Sequence, residues 1–177
     1  RYHQVVQRAA VLTMLLLSSC SPSESQMLFV ELRTDYLPSL EFATVEAVLS
    51  RVDERGGRAS PTTFELTVSS EQNFVEGILI GEFATPEGPV SLDVHLFARD
   101  GRIVAERTTL LDANRPEAIT VVITRSCQDV VCPSAIDGAL TSCVGGRCVD
   151  ATCSPETPEG CGTTECETDV ECRDGLA

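Results

Sequence analysis

The chain has 177 residues, 13 of them basic and 27 acidic, and a formal net charge of −14. This length suits one domain of ordinary size with an appendage. The acidic balance argues against a nucleic-acid-binding protein, whose basic face would contact phosphates, and against electrostatic docking on an anionic membrane. Every basic residue is arginine, so a P-loop lysine and a Schiff-base lysine are both excluded.

The first 19 residues have the composition of a secretory signal peptide. Arg1 and Arg8 stand without an acidic residue, and the apolar run "AAVLTMLLL" follows them. That run has nine residues, whereas a helix that crosses a bilayer needs about 20. We therefore predict a cleaved signal peptide at 1–19, with a short buried helix as the alternative.

Residues 17–20, "LSSC", resemble the lipobox of bacterial lipoproteins, an aliphatic residue and two small residues before a cysteine. The resemblance implies cleavage before Cys20, a diacylglyceryl group on its thiol and acylation of the new amino terminus. Two or three acyl chains hold a protein stably on a membrane, whereas one chain is marginal. The alternative is a free or disulfide-bonded Cys20.

The residue after the cysteine carries sorting information in such lipoproteins, and an Asp there favours retention in the inner membrane. Here the residue is Ser21, which implies an outer-membrane anchor, with the protein either periplasmic or exposed on the cell surface. Residues 20–26 are rich in serine, and we predict that they form a flexible lipidated tether.

Residues 27–126 contain no cysteine and are predicted to fold as an antiparallel β-sandwich of seven strands. Apolar and polar residues alternate with a period of two, which is typical of half-buried strands. The predicted core-facing residues include Leu66, Val68, Leu92, Val94, Leu96, Val121 and Ile123. The size and pattern resemble the immunoglobulin-like and fibronectin-like modules of bacterial surface proteins, without the Cys-Trp-Cys signature of antibody domains.

Two local features of this region carry separate predictions. In "LFARDGRIVAERT" two strand-like runs flank Asp100-Gly101, which predicts a hairpin with a type I′ turn. Residues 39–57 fit both a helical spacing and a strand alternation. We predict a strand there because the neighbouring segments are strands, and a helix is the alternative.

Residues 127–177 hold the other eight cysteines and few large apolar side chains. We predict an irregular tail ordered by disulfides, because it lacks residues for a hydrophobic core and an exported protein folds in an oxidising compartment. Zinc is the alternative, disfavoured by the absence of Cys-x-x-Cys and of histidine. Eight cysteines allow roughly a hundred pairings, and the sequence selects none of them. The predicted disulfide cysteines are Cys127, Cys132, Cys143, Cys148, Cys153, Cys161, Cys166 and Cys172.

The end of the tail, "CETDVECRDGLA", supports two further hypotheses. Asp169, Glu171 and Asp174 are carboxylates that suit calcium, but they lack the regular calcium-loop spacing, and we assign no metal ligand. The stretch also resembles the opening of cysteine-rich repeats of bacterial surface proteins. That resemblance implies a continuation past the last residue and an unpaired Cys166 or Cys172. With a first residue that is not Met, we expect a fragment at both ends.

The residues after Cys20 offer little for catalysis. They include one histidine, His95, and one tyrosine, Tyr36, and no nucleophile, zinc-protease or phosphate-loop motif. An isolated strand histidine is more often structural, and nothing singles out Glu65 and Glu82 as a glycosidase pair. We predict no catalytic residue, no cofactor and no enzymatic activity.

The predicted function is that of a non-catalytic structural or protein-interaction module, anchored to the membrane through Cys20, with an envelope or extracellular protein as partner and no nucleic acid. The alternative is an accessory carbohydrate- or calcium-binding module of a larger envelope enzyme. The absence of tryptophan disfavours an aromatic platform for sugars.

Overall fold

The computed structural model describes residues 27–53, 56–112, 118–132 and 141–156. Nearly all regular structure within these ranges is β-strand, which confirms the mainly β fold, and the exception is a short 3₁₀ turn at Arg125–Cys127. None of the described helices is long and apolar enough to cross a membrane. The strands are β1 (Met27–Thr34), β2 (Thr44–Val52), β3 (Arg58–Thr67), β4 (Ile78–Ala84), β5 (Pro89–Phe97), β6 (Ile103–Asp112), β7 (Ala118–Ile123), β8 (Thr141–Val144) and β9 (Arg147–Asp150).

The first seven strands form two sheets, as the sequence predicts for an antiparallel sandwich. One sheet has the order β4-β1-β7 and the other β3-β2-β5-β6. All pairs are antiparallel except β1 with β7. In an immunoglobulin constant domain the first and second strands are paired neighbours in one sheet, whereas here β1 and β2 lie in different sheets. The two-layer architecture is therefore shared with that family and the strand order is not.

One hydrophobic core lies between the two sheets. Six of the seven named core residues are buried, and Leu66 is half-buried. Leu66 belongs to β3, an edge strand whose other side chains are all exposed, so it has a neighbouring strand on one side. Residues 39–57 contain β2, which confirms the predicted strand, and its Val45, Ala47 and Leu49 face the core.

The hairpin of β5 and β6 is confirmed, but its turn is not of the predicted type. The Gly101 amide donates to the Ala98 carbonyl at 2.9 Å, and the Ala98 amide donates to the Arg102 carbonyl at 2.8 Å. Gly101 has a φ of 82°, and Asp100 is not among the residues with positive φ. A type I′ turn needs positive φ at both central residues, so this is a three-residue loop with a glycine bulge.

The type I′ turn occurs elsewhere, between β8 and β9. Gly145 and Gly146 have φ values of 56° and 80°, and they link strands in which Val144 pairs with Arg147. Part of the tail that was predicted to be irregular is thus a tight β-hairpin. Its Gly-Gly pair permits the left-handed backbone that this turn requires.

Candidate functional site

The structure describes five of the nine predicted cysteine sites, and all five are disulfide-bonded. Cys127 bonds to Cys143 and Cys132 bonds to Cys148, with Cα–Cα distances of 5.7 and 5.4 Å. Cys153 is disulfide-bonded as well. The lipidation site Cys20 lies outside the described residues. So do Cys161, Cys166 and Cys172, and with them the prediction that Cys166 or Cys172 is unpaired.

These two bonds attach the segment 127–132 to both strands of the β8–β9 hairpin. Cys143 and Cys148 are direct cross-strand partners, and each is joined to a different cysteine of that segment. The Gly146 amide also approaches the Cys127 sulfur at 3.4 Å. The segment and the hairpin are therefore held together as one unit, called the stapled unit below (127–132 and 141–156).

The stapled unit lies along the outer edge of β6, at the end of the four-stranded sheet. The Leu110 amide donates to the Ala151 carbonyl at 2.8 Å, and the Thr108 amide donates to the Ser142 hydroxyl at 3.3 Å. Ala151 and Ser142 are buried in this contact. An open strand edge is a site of unwanted pairing, and the stapled unit covers this one near residues 108–110.

Arg107 joins the two sheets and the stapled unit from a buried position. It pairs across the sheet with Val94, a core residue. Its Nη1 donates to the Val122 carbonyl of β7 at 2.7 Å, and its Nη2 donates to the Cys153 carbonyl at 2.7 Å. Burial lowers the pKa of the Arg107 guanidinium to about 10, so it remains charged at neutral pH.

Between β6 and the stapled unit runs an open groove with a volume of about 420 Å³. Residues 103–108 form one wall, and 129–132 with Ser142 and Cys143 contribute to the other. Ile103 and Val131 expose 46% and 91% of their surface, while Glu106 and Asp129 supply negative charge. The groove therefore combines apolar contact with acidic groups.

The backbone of Glu106 adds hydrogen-bonding capacity to this groove. Alternate residues of a strand direct their N–H and C=O groups to the same side. Because the Thr108 and Leu110 amides point away from β5 toward the stapled unit, the Glu106 amide and carbonyl point the same way. An extended segment in the groove could bond to this part of the strand, as in strand addition.

A second polar cluster lies just before the stapled unit and is centred on Arg125. The Arg125 amide donates to Asp35 Oδ1 at 2.9 Å, its guanidinium is ion-paired with Glu41, and it lies 5.4 Å from the centre of the Tyr36 ring. The hydrogen bond from Arg125 lowers the pKa of Glu41 and raises that of Arg125. Burial, followed by the charge of Asp35, raises the pKa of Tyr36.

His95 lies on the outer face of the four-stranded sheet, between two carboxylates. Its Nδ1 is 3.4 Å from Glu46 Oε1 and its Nε2 is 3.6 Å from Glu106 Oε2. Glu65 pairs across from Glu46 on β3, so that the row continues to the sheet edge. Beside it, Asp93 is buried and accepts hydrogen bonds from Arg58 and Thr108 at 2.5 and 2.6 Å. This face is an acidic band with a satisfied polar network beside it.

The structure does not bring Glu65 and Glu82 together. Glu65 lies in β3 of the four-stranded sheet. Glu82 lies in β4 of the three-stranded sheet, where it pairs with Phe29. Both side chains are exposed on the outer faces of the sandwich, which point in opposite directions. Among the described residues no group of three or more His, Cys, Asp or Glu could hold a metal ion. The calcium candidates Asp169, Glu171 and Asp174 lie outside that part of the chain.

Sequence reasoning missed three features of this region. The Gly145-Gly146 pair between "TSCV" and "RCVD" was a readable hairpin signal. The burial of Arg107 had no signal, because its neighbours Glu106, Thr108 and Thr109 are polar, as in an exposed strand. The pairing of Glu41 with Arg125 joins residues 84 positions apart, a distance at which sequence carries no local cue.

Comparison with known proteins adds no relative. No protein-family model, no curated protein and no solved structure matches the chain.

Proposed function

We propose that this protein is an envelope lipoprotein, anchored to the outer membrane by lipid on Cys20, whose β-sandwich and stapled unit form a non-catalytic module that binds another protein. The observation that carries the proposal is the order of segments along the chain. An apolar run, the "LSSC" sequence and a short serine-rich stretch are followed at once by strand β1, which begins at Met27.

The disulfides of the stapled unit support an exported protein. Bonds of this kind persist in oxidising compartments, such as the bacterial periplasm and the cell surface, and are rare in the cytosol. The described cysteines are all bonded, in agreement with the export that an amino-terminal signal peptide would direct.

The groove beside β6 supports a protein partner. It offers a strand backbone at Glu106, apolar contact at Ile103 and Val131, and acidic groups that suit a partner segment with a basic residue. Recognition of an extended segment by a sheet edge draws affinity from main-chain hydrogen bonds and specificity from adjacent side-chain contacts.

The anchor is tested by Cys20→Ala, with Ser21→Ala as the matched control. Cells expressing each variant are fed an alkyne fatty acid and then separated into membrane and soluble fractions. We expect the control to incorporate the label and remain in the membrane fraction. We expect Cys20→Ala to incorporate no label and to appear in the soluble fraction. Mass spectrometry that finds an unmodified Cys20 in the mature wild-type protein would refute the anchor.

The partner site is tested with a photo-crosslinking amino acid at Val131, in the groove. The matched control carries the same residue at Val75, which is also exposed, at 71%, and lies outside the groove. We expect defined adducts with envelope proteins from position 131 and not from position 75. Equal adduct patterns at both positions, or none from position 131, would contradict a partner in the groove.

A further inference from the structure

The outer face of the three-stranded sheet carries exposed apolar side chains at one end. On β1, Met27 and Phe29 each expose 40% of their surface. Their cross-strand partners include Ala84 for Met27 and Ala118 for Phe29, and both alanines are exposed. Leu79, paired with Glu31 one row further along, exposes 51%.

This group, called the apolar end below, consists of Met27, Phe29, Leu79, Ala84 and Ala118. The first two cross-strand rows of the apolar end are those of Met27 and Phe29. Among their described side chains, the acidic one is Glu82, which pairs with Phe29. Glu31, next to Leu79, is ion-paired with Arg33 at 2.9 Å. A contiguous group of exposed apolar side chains, unlike apolar residues scattered singly, is a candidate contact surface.

The position of the apolar end follows the direction of the chain. Met27 is the first residue of β1 and lies seven residues after Cys20. A fully extended chain covers at most about 3.6 Å per residue, so these two residues cannot be more than about 25 Å apart. The chain from Cys20 therefore joins the sandwich at the Met27 end of β1, next to the apolar end.

The opposite face of the sandwich has the reverse character. Across the outer face of β3-β2-β5-β6 run Glu65, Glu46, His95 and Glu106 in one row. Such a row disfavours contact with lipid, because a carboxylate loses hydration there. The outer face of the four-stranded sheet is thus acidic, and the outer face of the three-stranded sheet carries the apolar end beside the tether.

We infer that the apolar end rests on the phospholipid surface of the membrane to which Cys20 is attached. This inference rests on the proposed anchor and adds an orientation to it. The Phe29 and Met27 side chains enter the boundary between headgroups and acyl chains, Glu82 stays at the level of the headgroups, and the acidic face points away from the membrane. Apolar area buried in this boundary supplements the binding that an acyl anchor supplies.

The protein has no tryptophan, which makes the inference directly measurable. Phe29→Trp places a single fluorophore in the apolar end, and Met27→Trp is a second reporter should the first fail to fold. Phe64→Trp is the control, because Phe64 is 42% exposed and belongs to β3 of the four-stranded sheet. Each lipidated full-length variant is reconstituted into vesicles of phosphatidylethanolamine and phosphatidylglycerol with brominated acyl chains.

We expect tryptophan at position 29 to be quenched by the brominated lipid several times more than tryptophan at position 64, with emission shifted to shorter wavelength. Equal, weak quenching at both positions in protein that floats with the vesicles would overturn the orientation and leave the anchor intact. Protection of position 29 from aqueous iodide without quenching by brominated lipid would indicate a protein neighbour and also overturn it. Protein that carries no lipid on Cys20 and does not float would remove the anchor itself.

Discussion

Arg107 is one of the residues that join the sandwich to the stapled unit. Its guanidinium is buried, and it satisfies carbonyl groups of Val122 and Cys153. We predict that Arg107→Ala lowers the free energy of unfolding by about 2–4 kcal/mol, because the carbonyls of Val122 and Cys153 lose their partner and a buried side chain is removed.

The matched control for Arg107 is Arg33→Ala. Arg33 is exposed and paired with Glu31 on the surface, and its removal should cost no more than about 0.5 kcal/mol. Urea denaturation with the disulfides intact measures both variants. A similar loss in the free energy of unfolding for the two variants would show that the contacts of Arg107 do not stabilise the fold as predicted.

Glu41 is a residue whose contribution depends on pH. The hydrogen bond from Arg125 lowers its pKa below the ordinary value of 4.5. A carboxyl with a depressed folded-state pKa stabilises the protein above its unfolded pKa, and the effect is lost as the pH falls through the folded value. We predict that Glu41→Gln lowers the melting temperature at pH 7 and that its difference from wild type shrinks as the pH falls below 4.5.

Calorimetry at several pH values measures this difference. The matched control is Glu76→Gln, an exposed glutamate outside the cluster. A Glu41→Gln deficit that stays constant down to strongly acidic pH would contradict the role of the ionised carboxylate.

At the scale of elements, the β5–β6 hairpin depends on one left-handed residue. Gly101 has a φ of 82°, a region in which a Cβ costs about 1–2 kcal/mol. We predict that Gly101→Ala destabilises by about this amount and that Gly101→Asn costs less than half as much, since asparagine tolerates this conformation. Equal losses for the two variants in chemical denaturation would be inconsistent with a backbone origin.

At the scale of the whole molecule, the Cys127–Cys143 and Cys132–Cys148 disulfides hold together the stapled unit that covers part of β6. Each joins residues 16 positions apart, a loop for which a bond contributes about 3 kcal/mol. We predict that reduction accelerates hydrogen exchange at the Thr108 and Leu110 amides by at least about tenfold, which corresponds to about 1.4 kcal/mol. The amide of Val94, in a central strand, is the internal control and should remain protected.

Mass spectrometry or NMR measures the hydrogen-exchange rates of these amides in the same sample before and after reduction. Unchanged protection at Thr108 and Leu110 would mean that the non-covalent contacts alone hold the stapled unit. Accelerated exchange at all three amides would mean that reduction unfolds the sandwich rather than releasing its edge.

The membrane in which the protein resides is predicted to depend on Ser21, the residue next to the anchor. If Cys20 is lipidated, Ser21→Asp should move the protein from the outer to the inner membrane of a double-membraned host, because an Asp after the lipidated cysteine favours retention there. Density-gradient separation of the two membranes measures this shift, with Ser21→Ala as the control. An unchanged distribution of Ser21→Asp would refute sorting by this position.

The sequence by itself determined most strands of the sandwich, because strand formation there depends on a local alternation. The run from Val90 to Leu96 predicts a buried face, and its apolar residues are buried. The same local signal predicted the hairpin around Gly101 and a strand in 39–57. It did not determine the turn type at Asp100, since two- and three-residue loops accept the same Asp-Gly pair.

Only the tertiary structure decided which distant segments meet. The division of strands into β4-β1-β7 and β3-β2-β5-β6 depends on packing of whole faces, which one strand's sequence does not encode. The pairing of Cys127 with Cys143 and of Cys132 with Cys148 follows from where the β8–β9 hairpin lies. Arg107 is buried because β7 and the stapled unit close over it. Its burial is a property of the assembled fold and of no residue next to it in the chain.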